Sequence, residues 1–180
     1  VRAFLADKLP PTLAEKVRSG WHLSKADHEQ WHAILNERGW LANHWPEQYG
    51  GPGWNAVQKF IFENECALAH APRIVPFGVN MLGPVLIKYG NEAQKQQWLK
   101  PLARGEMLGA FCLTEPHVGS EAGGLKTTAG KDGDHYVLNG VKQFITSGKH
   151  GDVAIVMAVT DKAAGKRGIS AFVVPTATPG

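Results

Sequence analysis

Cysteine is scarce: Cys66 and Cys112 are the two in 180 residues, far apart and outside any Cys-x-x-Cys spacing. That excludes a disulfide framework or a zinc knuckle and favours a reducing, cytoplasmic compartment of the bacterial type. No apolar run approaches the roughly 20 residues that span a bilayer, and no charged-then-apolar leader opens the chain. Charge of one sign is never concentrated: 19 Lys and Arg against 16 Asp and Glu leave a formal +3. There is accordingly no basic stripe for nucleic acid or a membrane surface. The 8 histidines supply one i, i+4 pair, His28 and His32, without a third ligand, so no metal site is expected. Repeats and low-complexity tracts are also missing. What remains is an ordinary core-forming composition, 43% hydrophobic. It begins at Val1 rather than Met and stops at Pro179-Gly180 just after a strand-like run, which reads as a fragment.

The first hundred or so residues carry a helical period. Ser24 to Arg38 opens with Ser24 and Asp27 in capping-box spacing, puts Trp31, Ile34 and Leu35 on one face, and stops at Gly39. Asn55 to Ala71 places Val57, Phe60, Ile61, Ala67 and Leu68 at helical spacing and ends before Pro72. Val75 to Tyr89, with Val79, Met81, Leu82, Val85, Leu86 and Ile87, predicts a helix closed by a left-handed Gly90. A further helix runs from a cap at Asn91 through Trp98 and Leu102 to Gly105. The aromatic loop from Asn43 to Trp54 has too much Pro and Gly to be helical, and reads as a connector that buries its rings.

Then the period shortens. Gly109 to Thr114, Leu125 to Ala129, His135 to Leu138, Val141 to Thr146, Asp152 to Thr160 and Gly168 to Pro175 read as strands separated by turns. Asn139-Gly140 is the strongest hairpin signal, because both residues tolerate positive φ. The expected fold class is therefore an α+β chain: an N-terminal all-α helical domain over 1–107, then a partial antiparallel β-barrel or sandwich domain over 108–180.

Two segments of the second domain carry the chemistry. Phe111 to Leu125 passes from an apolar strand into a polar, glycine-rich turn, Thr114-Glu115-Pro116-His117-Val118-Gly119-Ser120, where a ligand can touch backbone. Asn139 to Gly148 follows at a distance that allows the two to lie on neighbouring strands, presenting Thr114 and Thr146 to one bound molecule. Singly these residues say little. Thr114 and Thr146 suit any strand, a Gly-Ser turn connects strands everywhere, and Phe144 alone is ordinary core. Glu115 and Glu121 invite an acid–base reading, but a local one fits better, each holding the turn through backbone hydrogen bonds. His117 reads as a polar surface residue.

Taken in order and spacing, Phe111 to Leu125 and Gln143 to Gly148 resemble the two flavin signatures of the acyl-CoA dehydrogenase family, and the similarity extends through the helical half. The resemblance implies FAD as cofactor, an acyl-CoA substrate oxidised at Cα–Cβ to a trans-2-enoyl-CoA, and a place in fatty-acid β-oxidation. It also implies an electron-transfer flavoprotein as partner and a homo-oligomer, dimer or tetramer, when full length. A flavin needs donors at its N1 and C2-carbonyl edge, a group near N5 and neutral donors for its pyrophosphate. Backbone N–H groups of Leu113 and Thr114 would serve the first, Thr146 the second, and Gly119 and Ser120 the third, with Phe111, Phe144 and Ile145 in the same cradle. Ser120 would also touch the CoA part of the substrate.

No catalytic base carries over. In the family it is a glutamate on a C-terminal helical bundle or on another helix, so this length of chain is expected to be inactive. His117-Val118 stand where small residues are frequent, Glu121 where Asp is usual, and Phe144 where many members have Trp, losing an indole donor. A flavin monooxygenase or oxidase on the same scaffold, or a non-catalytic helical-plus-β interaction module, are the competing readings.

Overall fold

The computed structural model describes residues 1–179, Gly180 lying outside the described residues. The chain forms two compact units, one over Val1–Met107 and one beginning at Leu108, and each is taken by itself.

The first unit is helical: α1 (Arg2–Lys8), α2 (Pro11–Arg18), α3 (Lys25–Asn36), α4 (Ala56–Leu68), α5 (Gly83–Tyr89) and α6 (Glu92–Arg104). Three of them start with the same reciprocal device. Ser24 caps Asp27, Asn55 caps Gln58 and Asn91 caps Gln94, each pair exchanging side chain for backbone N–H. Two orphan donors are thereby satisfied at each helix start. Gly105 ends α6 with φ +71, a conformation that costs glycine little.

The core lies around Trp31, Leu35, Leu41, Trp45, Leu86 and Leu99, all fully buried. The aromatic loop is built into it. Trp45 donates its indole N–H to the Val79 carbonyl at 2.6 Å, and a Cβ at Gly83 would sit 1.9 Å from Trp45 Cζ2. The first turn of α5 can therefore pack only as glycine.

Two expectations change here. The helix expected over Val75 to Tyr89 is instead a π-type turn, Phe77–Leu82, running into α5. Pro84 has no N–H to bond back, and its ring crowds the preceding turn, so the ladder widens before it. Gly90 is extended, φ −68. Its lack of a side chain answers a close approach, since a Cβ would stand 2.7 Å from the Leu86 carbonyl oxygen. On α4 the predicted apolar residues Val57, Phe60, Ile61 and Leu68 are exposed, and Phe62 is the buried one. Phe62 meets Trp40 and Trp54 at ring distances of 5.8 and 5.1 Å. A helix that turns this side inward presents its neighbouring stripe outward.

The second unit is a mixed five-stranded sheet: β1 (Gly109–Cys112), β2 (Thr128–Asp132), β3 (His135–Asn139), β4 (Val153–Val159) and β5 (Ile169–Pro175). The near-continuous apolar run of β4, with Val153, Ile155 and Ala158 buried, makes it central. β5 lies antiparallel along its full length, and β2 and β3 form an antiparallel hairpin through Gly133 at φ +56. The wholly antiparallel arrangement expected is corrected on the other edge of β4. There β1 pairs parallel from Gly109↔Val153 to Cys112↔Val156, and β2 joins parallel at Thr128↔Val159.

Val141 to Thr146 is not a strand. It pairs with the first segment through a single backbone bond, Gln143 N–H to the Thr114 carbonyl at 2.9 Å. Phe144 and Ser147 then turn to φ +57 and +63, which no ladder tolerates. Asn139-Gly140 closes no hairpin. Gly140 crosses Thr127 so closely that a Cβ would lie 2.3 Å from Thr127 Oγ1. Thr114 and Thr146 therefore do not face one another from adjacent strands.

Candidate functional site

Because β1 leaves the β4 edge opposite Val156 and β2 rejoins it opposite Val159, the residues between them, 113–127, are forced out as one excursion. Its tip is a turn in which Glu115 N–H bonds the Val118 carbonyl at 2.9 Å and Val118 N–H returns to Glu115 at 3.0 Å. Pro116 suits this place, with φ preset and no N–H to satisfy.

What holds the excursion is the side chain of Glu115, 2% exposed. Its carboxylate accepts from Lys126 N–H at 2.7 Å, from Thr127 N–H at 2.9 Å and from Lys142 Nζ at 2.8 Å. Burial alone would raise its carboxyl, but these bonds, Lys142 foremost, outweigh it and hold it at about 2. With the Lys126 and Thr127 N–H groups engaged in this way, β2 starts at Thr128 rather than Leu125. Thus Glu115 does hold the loop through backbone, closing its far end rather than its own turn. Glu121 does not share that work: its exposed carboxylate lies 3.3 Å from Lys166 Nζ. His117 is half exposed, with Nε2 3.4 Å from the Glu115 carboxylate.

The same lysine reaches the other residues of interest. Lys142 Nζ donates to the Leu113 carbonyl at 3.1 Å, and Gln143 N–H takes the Thr114 carbonyl. Both carbonyls of this pair are filled. Among the described residues, neither the Leu113 nor the Thr114 N–H has an acceptor. Phe111 and Ile145 are half-buried, Phe111 opposite Ile155 in β1, while Gly119, Ser120 and Thr146 are exposed. A Cβ at Gly119 would meet nothing within 4 Å. Phe144 is 85% exposed on a backbone that non-glycine residues rarely adopt, and such strain concentrates where a residue must present itself to a ligand. The excursion and the 143–146 segment are thus brought together at Thr114 and Gln143, whereas no hydrogen bond links Gly119 or Ser120 to residues 144–146 among those described.

The sequence reading gave Lys142, Lys126 and Thr127 no role. The signal for Lys142 was a lone lysine among apolar and amide residues of a segment expected to be a strand, where a cation needs a partner.

Elsewhere, the helical unit holds a groove of about 710 Å³ lined by Trp31, Phe62, Cys66, His70 and Arg73 among others. Burial, with Glu63 adding to it, pushes its Cys66 thiol up to about 12, which leaves it protonated and unreactive. No group of three His, Cys, Asp or Glu residues able to hold a metal occurs among the described residues.

Two unpaired backbone donors, an exposed ring on strained backbone and an open glycine turn, all neutral, suit a planar ligand that accepts hydrogen bonds and carries a phosphate. A helical unit followed by a sheet unit bearing such an edge defines a two-part α+β chain. Residues 1–106 match the acyl-CoA dehydrogenase N-terminal domain family, and residues 110–180 its middle domain family. An acyl-CoA dehydrogenase of Bacillus subtilis is 46% identical over 138 residues, 75% of this chain and 36% of that one. The mitochondrial short-chain specific acyl-CoA dehydrogenase of Mus musculus is 42% identical over 149 residues, 81% of this chain and 36% of that one. The crystal structure of a glutaryl-CoA dehydrogenase from Mycobacterium smegmatis in complex with FADH2 superposes with a TM-score of 0.79 at 34% identity, over 99% of this chain and 44% of that one. The chain belongs to the acyl-CoA dehydrogenase family. It spans about a third of the length of the curated relatives it matches, 36% of each.

Proposed function

We propose that this chain is the flavin-holding part of an FAD-dependent acyl-CoA dehydrogenase that oxidises the Cα–Cβ bond of an acyl-CoA thioester to a trans-2-enoyl-CoA. The observation that carries the reading is the asymmetry at Leu113 and Thr114, whose carbonyls are saturated from within while their N–H groups stay open. When bound, FAD supplies a two-electron acceptor at its ring N5. The chain's own residues bind and orient it. Leu113 and Thr114 would donate N–H bonds to the pyrimidine edge, Phe144, Phe111 and Ile145 would supply apolar cover for the ring, and the Thr146 hydroxyl would serve the N5 side. Gly119 would let backbone approach the pyrophosphate, while Ser120 would donate to it and to the CoA moiety.

Glu115 is not free to take the substrate α-proton, because it is spent on Lys142 and two backbone donors, and Glu121 is an exposed surface carboxylate beside Lys166. In the full-length protein a glutamate outside these residues would act as base, with an electron-transfer flavoprotein as electron acceptor and a homo-oligomer as the assembly. The test is the full-length protein itself. It is expected to purify yellow with one FAD per chain, and Thr146→Val is expected to weaken FAD binding by about 1 kcal/mol, one lost hydrogen bond. A colourless protein that gains no flavin absorbance on addition of FAD would overturn the reading and leave an interaction module.

A further inference from the structure

The buried ion pair beneath the excursion does more than close a loop. Lys142 Nζ satisfies Glu115 at 2.8 Å, and pairing alone requires nothing further of it. Its second bond, 3.1 Å to the Leu113 carbonyl, falls on one particular peptide: the unit whose other end is the Thr114 N–H, open among the described residues. The lysine side chain is 10% exposed and the glutamate 2%, so little water screens the cation from that carbonyl. A positive charge on a peptide oxygen draws electron density from the amide nitrogen and strengthens its N–H as a donor, as in any polarised chain of hydrogen bonds. The Glu115 charge is itself shared with the Lys126 and Thr127 N–H groups. Lys142 is thus the charged group that hydrogen-bonds the Leu113 oxygen, while the carboxylate spends part of its acceptor capacity on backbone.

We infer that Lys142 is a positioning residue that tunes the proposed flavin site through the Leu113–Thr114 peptide, strengthening the Thr114 N–H toward whatever negative charge gathers at the ligand edge it faces. This rests on the flavin reading of that edge. Reduction adds charge to the pyrimidine side of a flavin, so a stronger donor there favours the reduced form over the oxidised one. Lys142 raises the reduction potential without touching the cofactor, and Glu115 orients Lys142 for the task.

The experiment compares full-length wild type with Lys142→Met, Lys142→Arg and the double variant Glu115→Gln/Lys142→Met. The double variant leaves no unpaired charge buried and keeps the comparison open should the single Met variant fail to fold. FAD stoichiometry and affinity come from absorbance titration, and the midpoint potential from spectroelectrochemistry. The Met-containing variants are expected to bind FAD but to lose about tenfold in preference for the reduced form, a fall of about 30 mV for a two-electron couple. Lys142→Arg keeps the charge and should restore most of that shift. A lysine with a merely structural role would alter melting temperature and leave the potential alone. An unchanged potential in a double variant that still holds FAD overturns the inference while sparing the flavin reading. So does a Lys142→Arg potential as low as that of Lys142→Met. A wild type that takes up no FAD overturns both.

Discussion

Replacing Glu115 by Gln tests the core of the site directly. The carboxyl has an ordinary value of 4.5 and is held at about 2 in the folded chain. The folded pKa is the depressed one, so its stabilisation is complete above about pH 5 and is lost as pH falls from there toward 2. A shift of this size corresponds to about 3 kcal/mol at neutral pH. Glu115→Gln removes that contribution and also strands the Lys142 ammonium, 10% exposed, without its counter-charge. Breaking a buried pair from one side costs about 3 to 5 kcal/mol. Hydrogen exchange of the Lys126 and Thr127 amides, which the carboxylate binds at 2.7 and 2.9 Å, reads this locally. In wild type their protection should hold from pH 7 to 5 and fall below that, after correction for intrinsic exchange. In Glu115→Gln it should be lost at pH 7, and Lys142→Met added to it should restore much of the protection. Wild-type-like protection in Glu115→Gln at pH 7, or no loss of wild-type protection on acidification, would refute the reasoning.

Phe144→Gly should stabilise the protein without cofactor by about 1 kcal/mol, because glycine adopts φ > 0 freely, while weakening FAD binding; equal signs for the two effects would remove the argument from strain. His32, buried near His28 and pushed down to about 4 chiefly by burial, accepts the Val75 N–H at 3.2 Å. Stability of the helical unit should therefore drop by about 2 kcal/mol on account of His32 as pH falls from 7.5 to 5, and His32→Leu should shrink that limb of the melting curves to the part that His28, also lowered by burial, contributes. Gly83→Ala would drive a methyl into Trp45 and should cost about 2 to 3 kcal/mol in urea unfolding.

The readable parts of this fold were those whose energy is local. The Ser24 box and the Asn91 cap each depend on residues within a few positions of one another, and both appear as expected, whereas the left-handed glycine falls at Gly105 and not at Gly90. The family resemblance was legible for a related reason, since the residues of Phe111 to Leu125 and Gln143 to Gly148 carry their order and spacing in the chain. The misread elements are those settled by distant neighbours. Phe62 displaced the exposed stripe of α4 because Trp40 and Trp54 were already packed on the other side. Val141 to Thr146 had strand composition, yet the chain had to cross Thr127 at Gly140 and could not stay in a ladder.

By itself, then, the sequence determined which segments become helix or strand over most of the chain, where helices start, and which family the chain resembles. Only the tertiary structure decided that Lys142 grips both Glu115 and the Leu113 carbonyl, 27 and 29 positions away. Tertiary structure alone also decided that the Leu113 and Thr114 amides stay open and that Phe144 is displayed on strained backbone. Periodicity and propensity report the backbone's local preferences. A buried charge finds its partner only when the sheet has closed over both and water no longer competes.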